Sequence, residues 1–347
     1  YYGVYVGGAR ATVEHCTLRD NSYTGLLGRY ATYMTVSNCS IFYNNNGVVL
    51  AQVTDSSLAH NTFHNNSLVN LNMREASQRN LVHHNTFAHG IYGVQVHSST
   101  GNWLYLNDFL DNEVQAQDGA ANNWDNGSVG NYWSDYDGED NDYDGIGDTA
   151  YAISGGSSTD RYPLMRKAGM PAAYFAYTPS VNLNTQKTIT FIDLSVDVDG
   201  YLVNWTWDFG DGNTSYLPSP QHRYADNGTY TVTLTVTDNQ GNTDVAARVL
   251  QVANLPPVVD FTWIPVSPTG LDVIQFIDNS TDRDGSIVNW TWDFGDGNVG
   301  YGPTVTHSYA TTGVYAVSLT VTDDDGDAGS RQETVTVANA PPTANFG

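Results

Sequence analysis

Residues 39–66 read CSIFYNNNGVVLAQVTDSSLAHNTFHNN and contain one full repeat followed by the start of the next. The segment CSIFYN (39–44) returns as NTFHNN (61–66), which begins 22 residues later. Each unit holds short alternating runs between Gly and Asn turns, so it cannot bury its apolar side without a stacked neighbour. The same marker recurs at spacings of 23, 24 and 22 residues in CTLRDN (16–21), NTFAHG (85–90) and NDFLDN (107–112).

This period of 22–24 residues predicts a right-handed parallel β-helix over residues 1–125, with coils stacked ~4.8 Å apart. A second marker, GVVL (47–50), keeps step in GVYV (3–6), GLLG (25–28) and GVQV (93–96). The framework of leucine-rich repeats, which have a similar period, is absent from the sequence. One column of apolar side chains is expected inside the solenoid: Leu18, Ile41, Phe63, Phe87 and Phe109.

The column two positions earlier holds Cys16, Cys39, Asn61, Asn85 and Asn107, whose amides can bond to one another down the solenoid. Cys16 and Cys39 occupy equivalent positions in neighbouring coils, which puts their Cα atoms within disulfide range. The sequence is compatible both with a disulfide and with a pair of small buried thiols. His60 and His84 precede column asparagines, so they should stack on adjacent coils, either as transition-metal ligands or as surface histidines.

A second repeat is 85 residues long, because NWTWDFGDGN occurs at 204–213 and again at 289–298. In YTVTLTVTD (230–238) apolar residues alternate with threonine, as in a half-buried strand. About seven such strands per unit predict tandem Ig-like β-sandwiches in an all-β chain. The expected modules are residues 170–254 and 255–339, with the start of a truncated third module at 340–347.

The WDFGDG motif and the YTVTLTVTD strand resemble the PKD (polycystic kidney disease) domain. The resemblance covers residues 171–338 and implies an extracellular adhesive or spacer module. It also implies a calcium site near the loop before the Trp strand. In the second module the matching residues are Asn279, Ser280, Asp282, Asp284 and Asp323; in the first they are Leu194, Ser195, Asp197, Asp199 and Asp238, where Leu194 lacks a ligand oxygen.

Between the two repeats lies DYDGEDNDYDGIGD (135–148), which has the D-x-D-x-D-G-x-G-D spacing of a calcium loop. Gly145 would make the sharp turn, and Tyr151 stands where an EF-hand has a bidentate Glu. A solvated acidic linker is the alternative, although mutual repulsion makes a compact loop costly without a cation. The expected calcium ligands are Asp135, Asp137, Asp140, Asp142, Asp144, the Ile146 carbonyl and Asp148, with Asp160 as a further substitute for the missing Glu.

Residues 126–169 are expected to close the solenoid, since an open coil would expose strand edges and apolar core. GNYWSDY (130–136), DGIGDT (144–149) and DRYPLM (160–165) resemble a recurrent tail of archaeal β-helix surface proteins. That family is related to periplasmic copper-binding accessory β-helix proteins. The resemblance implies a cap, and with the PKD modules it implies an archaeal surface-layer type of protein.

The amino-acid composition narrows the classes of possible binding partner. The formal net charge is −24 with only 13 basic residues, which argues against a nucleic-acid partner. No run of about 18 apolar residues is present, so no membrane span is expected. Eight candidate N-glycosylation sequons suit a secreted glycoprotein: Asn38, Asn65, Asn126, Asn204, Asn213, Asn227, Asn279 and Asn289.

We therefore expect a non-enzymatic, calcium-stabilised structural protein of a cell surface (a surface layer, sheath or filament). Its partners would be further copies, neighbouring envelope proteins or glycans. A polysaccharide lyase or hydrolase with PKD accessories is the first alternative, but the solenoid arginines show no shared column with acids and no carboxylate pair is evident. A glycan-binding adhesin is the second, through the tyrosines Tyr5, Tyr23, Tyr30, Tyr33, Tyr43 and Tyr92.

Overall fold

The structure, a computed structural model, describes residues 1–340, which form 33 strands and contain no helix. The expected start of a third module lies almost wholly outside the described residues. Within them, no helical segment has the length and apolarity needed to cross a bilayer. The all-β prediction is confirmed.

The first part of the chain is a parallel β-helix of about six coils. Its strands, in chain order, are β1 (Tyr2–Ala9), β2 (Thr12–Glu14), β3 (Thr17–Arg19), β4 (Thr24–Thr32), β5 (Thr35–Ser37), β6 (Ser40–Phe42), β7 (Asn46–Ala51), β8 (Ser57–Ala59), β9 (Thr62–His64), β10 (Val69–Arg74), β11 (Leu81–His83), β12 (Thr86–Ala88), β13 (Tyr92–Val96), β14 (Trp103–Tyr105), β15 (Asp108–Leu110), β16 (Val114–Asp118) and β17 (Tyr132–Trp133). Three parallel sheets form its faces: β1-β4-β7-β10-β13-β16, β14-β11-β8-β5-β2 and β17-β15-β12-β9-β6-β3.

The predicted apolar column is present and runs in register through the third sheet. The rings of Phe63 and Phe87 lie 4.8 Å apart, and those of Phe87 and Phe109 lie 5.2 Å apart. Trp133 of the closing coil continues the column, stacked 4.2 Å from Phe109. Because Phe63, Phe87 and Phe109 are completely buried, this column forms much of the solenoid core.

One corner of the solenoid combines left-handed backbone with a ladder of amides. His60 and His84 have φ of 56° and 53°, and each directly precedes a ladder asparagine. The side-chain amide of Asn85 donates to Asn107 Oδ1 at 3.0 Å, and that of Asn107 donates to the next rung at 2.9 Å. We call the series Asn61–Asn85–Asn107–Asn131 the asparagine ladder. Each rung also accepts the backbone N–H of the rung before it.

Aspartates terminate two of these ladders. Asn131 donates its backbone N–H to Asp160 Oδ2 at 2.7 Å, and Asp160 is fully buried. A parallel series through Asn102 and Asn122 ends on Asp118 Oδ1 at 3.0 Å. Burial raises the pKa of Asp160 to about 6, although several N–H donors oppose that shift. The sequence-based suggestion that Asp160 completes the calcium loop is therefore not supported, because this carboxylate caps the ladder.

The glycine of the second marker allows close approach between coils. A Cβ on Gly47 would clash with the carbonyl oxygen of Asn70, and one on Gly93 would clash with that of Gln115. Any side chain there would force neighbouring coils apart. The glycine of this marker is therefore required for neighbouring coils to pack closely.

The solenoid is closed by a short irregular cap with one hairpin. Its strands are β18 (Tyr151–Ala152) and β19 (Thr159–Asp160), paired antiparallel. Tyr151 stacks 4.2 Å from Trp133, and Trp124 is completely buried beside it. These aromatic rings cover the apolar end of the last coil.

Two β-sandwiches follow. The first contains β20 (Phe175–Thr178), β21 (Ile189–Asp193), β22 (Leu202–Asp208), β23 (Thr214–Ser215), β24 (Gln221–His222), β25 (Gly228–Asp238) and β26 (Thr243–Val252); the second contains β27 (Phe261–Ile264), β28 (Ile274–Asp278), β29 (Ile287–Asp293), β30 (Val299–Tyr301), β31 (Thr304–His307), β32 (Gly313–Asp323) and β33 (Ala328–Val337). Each packs a three-stranded sheet on a four-stranded one: β20-β21-β24 on β23-β22-β25-β26, and β27-β28-β31 on β30-β29-β32-β33.

The second tryptophan of each WTWD motif is the centre of its sandwich. Trp207 and Trp292 are completely buried, and their indole N–H groups donate to the carbonyls of Leu217 and Gly302 at 3.0 and 2.9 Å. Satisfying the indole N–H allows a large ring to be buried without an unpaired donor.

Candidate metal centres

The calcium-loop sequence at residues 135–148, which we call the acidic loop, lies in the cap between β17 and β18. Asp140, Asp142 and Asp144 each offer a carboxylate oxygen within 4.8 Å of the other two, as ligands of one cation would. Backbone N–H groups hold the first carboxylate: Asp144 N–H and Gly145 N–H donate to its two oxygens at 3.2 and 3.0 Å. The structure therefore brings three of the seven expected calcium ligands together.

The remaining expected ligands lie differently. Asp148 Oδ2 accepts the backbone and side-chain N–H groups of Asn141, at 2.9 and 2.8 Å, and these bonds lower the pKa of Asp148. Asp135 accepts the Tyr151 hydroxyl at 3.1 Å. Asp137 is exposed and belongs to no carboxylate cluster among the described residues, and Ile146 forms an isolated bridge with Leu164.

The acidic loop also contacts the first sandwich. The ring of Tyr143 stacks 3.7 Å from that of Tyr174, and the Arg248 guanidinium lies 4.8 Å from the same Tyr174 ring. Nearby, Arg166 pairs with Asp244 at 2.9 Å. We call the contacts between the solenoid with its cap and the first sandwich the first junction.

The two sandwiches meet at a second junction, which contains another set of oxygen atoms. The Thr185 hydroxyl of the first sandwich donates to Asp284 Oδ2 of the second at 2.9 Å, and Leu255 N–H donates to the same oxygen. Asp284 Oδ1 and both Asp282 oxygens are buried without a hydrogen-bond donor. The linker residue Asn254 adds a buried Oδ1 that also lacks a donor.

The side chains found at this junction differ from the ligand set expected for the second calcium site. Burial raises the pKa of Asp282, with further contributions from Asp284 and Asp323. Asp323 lies nearby and accepts the Asn254 side-chain N–H at 2.9 Å. The side chain of Asn279 instead donates to Thr262, and the Ser280 hydroxyl donates to a backbone carbonyl. Sequence reasoning missed Asn254 because it lies in the linker.

The first sandwich repeats the aspartate pattern. Asp197 and Asp199 carry buried oxygens without hydrogen-bond donors, as their equivalents in the second sandwich do. Asp238 is satisfied by the N–H groups of Gln240 and Asn242. Leu194 is 42% exposed, so it contributes no ligand, and the Ser195 hydroxyl donates to Tyr174 O at 3.2 Å.

The cysteine and histidine columns are where the repeat places them. Cys16 N–H donates to Cys39 Sγ at 3.4 Å, and both residues are free thiols here, so the disulfide stays a prediction. The rings of His60 and His84 stack 4.9 Å apart, as expected. Their role as transition-metal ligands stays a prediction.

Two further sequence expectations concern the surface. The statement that solenoid arginines share no column with acids is wrong, since Arg79 pairs bidentately with Asp55 of the preceding coil at 2.7 Å. Among the eight sequons, the asparagine is exposed in seven, and Asn227 is partly exposed. Glycan attachment is sterically open at the exposed positions.

Comparisons with known proteins agree with this division of the chain. Residues 1–138 match the family described as periplasmic copper-binding protein (NosD), and residues 170–252 and 254–338 match the PKD domain. The chain thus has the architecture of a NosD-type β-helix followed by two PKD domains.

Individual relatives match part of the chain. A pre-pro-metalloprotease, PrtV, of Vibrio cholerae is 35% identical over 134 residues, which is 38% of this chain and 14% of that protein. A microbial collagenase of Vibrio alginolyticus is 44% identical over 70 residues, 20% of this chain and 9% of that protein. The chain therefore spans a small part of these relatives.

Among solved structures, the PKD1 domain of Vibrio anguillarum Epp is 36% identical and covers 25% of this chain and 96% of its own, with a TM-score of 0.23. The PKD domains and the relatives together point to an extracellular or secreted protein with accessory domains.

Proposed function

We propose that this chain is a non-enzymatic structural segment of an extracellular envelope, such as an archaeal surface layer, sheath or filament, in which calcium stiffens the β-helix and its PKD domains. The observation that carries the proposal is the location of the clustered carboxylates, of which Asp282 and Asp284 keep buried oxygens without a hydrogen-bond donor. Asp282 and Asp284 sit where one PKD domain meets the next, and the acidic loop sits where the solenoid meets the first.

A cation at these positions would act mechanically. Asp284 is bonded to Thr185 of the preceding domain, so an ion on its free oxygen would fix the angle between the two domains. Calcium suits the second junction because its free ligands are all oxygens and calcium takes six to eight of them. Neutralising clustered carboxylates would also remove repulsion within each cluster.

The experiment compares domain order with and without calcium. We expect chelation to lower the melting temperature and to broaden the interdomain distances seen by small-angle X-ray scattering. A triple variant, D140N/D142N/D144N, should lose the calcium response of the cap, whereas D111N, an exposed acid on a solenoid corner, should keep it. Identical melting and scattering in excess chelator would refute the calcium role.

Exposed tyrosines favour a second candidate, a glycan-binding adhesin. Tyr5, Tyr30, Tyr33 and Tyr43 are each close to 60% exposed on the solenoid surface. Aromatic faces of this kind can stack on sugars. Binding on a glycan array that falls in a Tyr30→Ala/Tyr33→Ala variant would support this role, and it is compatible with a scaffold.

A carbohydrate-active enzyme is the competing hypothesis. Turnover of an acidic polysaccharide by the purified chain would replace the scaffold proposal, since a scaffold should release no product.

A further inference from the structure

One side of the solenoid is rich in arginine, although the chain as a whole is strongly acidic. The solenoid has five arginines and no lysine, and four of the arginines lie in strands of the first sheet or in the turns that follow them: Arg10, Arg29, Arg74 and Arg79. The carboxylates that pair with them are Asp55 and Glu75, so the four cations are only half neutralised. This side of the solenoid should therefore attract an anionic ligand.

Arg29 and Arg74 point outward from the first sheet on either side of Ala51. Each is a direct cross-strand partner of Ala51. The two arginines are thus two coils apart, a backbone separation of about 10 Å. Because the side chain of alanine is short, the two guanidinium groups border a shallow depression. We call Arg29, Ala51 and Arg74 the arginine notch.

Glu75 neutralises the arginine notch incompletely. Its carboxylate lies 3.5 Å from a terminal nitrogen of Arg29 and 3.6 Å from Arg74 Nε. Arg79 and Asp55, by contrast, form a bidentate pair at 2.7 Å, the length of a charge-assisted hydrogen bond. The Nε–H groups of Arg29 and Arg74 have no acceptor, although these side chains are 43% and 37% exposed. The notch therefore has guanidinium donors available for a further carboxylate.

Exposed tyrosines accompany these arginines. The Arg29 guanidinium lies 5.2 Å from the centre of the Tyr30 ring, and that of Arg10 lies 5.9 Å from the centre of the Tyr33 ring. Both rings are close to 60% exposed. An exposed ring beside a guanidinium suits a sugar with an acidic group, because the ring stacks on the C–H face of the sugar while the guanidinium pairs with the carboxylate.

A row of amides runs beside the arginine notch on the same face of the sheet. Asn72, Gln95 and Gln117 are cross-strand neighbours in successive coils, and Asn72 lies two residues before Arg74. The side chain of Asn72 donates to Gln95 Oε1 at 3.4 Å, and that of Gln95 donates to Gln117 Oε1 at 2.7 Å. All three side chains are partly exposed. Amides at the spacing of the coils can both donate to and accept from the hydroxyl groups of a sugar chain.

We propose that this face binds a carboxylate-bearing glycan, such as a chain of uronic acids. Its acid groups would pair with Arg29 and Arg74, one sugar would stack on Tyr30, and its hydroxyls would meet the amide row. The glycan would lie along the solenoid axis, because the arginines and amides repeat in that direction. The inference rests on the glycan-binding candidate of the proposed function and supplies its ligand class.

The test is calorimetric titration of the full chain with oligogalacturonate, once with calcium and once with EDTA. We expect binding under both conditions that weakens as NaCl is added, since salt screens surface charges. Affinity should fall at least tenfold in R29Q/R74Q. R19Q is the matched control, because Arg19 is an exposed arginine beside Asp20 on the third sheet, and it should bind like the parent chain. Unchanged melting curves by circular dichroism would show that the variants fold.

Glu75→Gln tests the same site in the opposite direction. This change removes the carboxylate that competes for both guanidinium groups. We expect the affinity for oligogalacturonate to rise several-fold. An unchanged or lower affinity would show that the ligand carboxylate does not use the arginine notch.

Other outcomes separate this inference from the proposed function. Equal affinity for the carboxyl-reduced oligosaccharide would overturn the acidic ligand class and leave a glycan-binding adhesin in place, as would a loss of binding in Tyr30→Ala/Tyr33→Ala but not in R29Q/R74Q. Failure to bind any glycan would refute both, whereas the scaffold role is decided by the calcium experiment. Binding that needs calcium and is unchanged in R29Q/R74Q would place the glycan on the acidic clusters. Self-association abolished by R29Q/R74Q would instead assign the face to the acidic surface of a second copy.

Discussion

Replacing one rung of the asparagine ladder should destabilise the solenoid strongly. Asn85 is 1% exposed, and its Oδ1 accepts both the backbone and side-chain N–H groups of Asn61. Its own amide donates to Leu58 O and His83 O at 2.9 Å each, and to Asn107 Oδ1 at 3.0 Å. Asn85→Ala removes all of these contacts, in which two amide hydrogens serve three acceptors, from a dry interior.

The magnitude follows from the groups left behind. The Asn61 backbone N–H loses its acceptor, and the Leu58 carbonyl loses this donor. Each buried polar group without a partner costs about 1–3 kcal/mol, so the variant should lose roughly 2–6 kcal/mol of local stability. Amide hydrogen exchange by mass spectrometry reports this for β8 and β11 separately from the PKD domains, which a global melt would mix in.

The matched control is Asn72→Ala. Asn72 lies on β10, on another face of the solenoid, and its side chain makes a single long bond of 3.4 Å to Gln95. We expect a loss of at most about 0.5 kcal/mol there. If Asn85→Ala changed exchange in β8 and β11 no more than Asn72→Ala does, the ladder would not stabilise the coils.

Three further predictions concern packing, pH and domain contact. Gly47→Ala should cost about 1–3 kcal/mol of solenoid stability by chemical denaturation, because its Cβ would meet the Asn70 carbonyl, and unchanged stability would refute the close-approach argument. Burial raises the pKa of Asp108 to about 6 from 3.8, so the folded chain binds more protons in that range. In metal-free buffer its contribution should fall by up to about 3 kcal/mol as pH rises from 4 to 6, and a pH–stability profile should lose this slope in Asp108→Asn. Thr185→Val should remove the hydroxyl bond to Asp284 at about 1.5–3 kcal/mol and increase interdomain motion measured by NMR relaxation. The control Thr269→Val, which removes a hydroxyl bond to Asp272 within the second domain, should not alter that junction.

The solenoid and its interior column were predictable because each coil repeats the same apolar and turn residues at nearly constant spacing. Phe63, Phe87 and Phe109 therefore fell into register without any knowledge of the structure. The cap was not predictable in this way. Asp118 and Asp160 look like further acids of an acidic segment, and only the folded chain shows them at the ends of amide ladders.

The candidate sites were predictable only where ligands are close in sequence. Asp140, Asp142 and Asp144 alternate along one loop, so their spacing gives their convergence. The linker residue Asn254 donates to Asp323 of the second PKD domain, and no local sequence pattern indicates such a contact. A bulge between Leu202 and Asn204 likewise shifts the strand phase, which leaves Val203 50% exposed although Trp207, an even number of residues further along the strand, is completely buried.

The asparagine ladder has a direction. Every rung from Asn61 to Asn131 donates toward the carboxyl end of the chain, so the amide dipoles add head to tail and finish on the carboxylate of Asp160. A rung needs only an acceptor ahead of it and a donor behind it. Whole coils of this type could therefore be duplicated or removed during evolution without a new polar mismatch, provided that the anionic terminus is retained. The length of such a spacer can then change in steps of one coil, about 4.8 Å each.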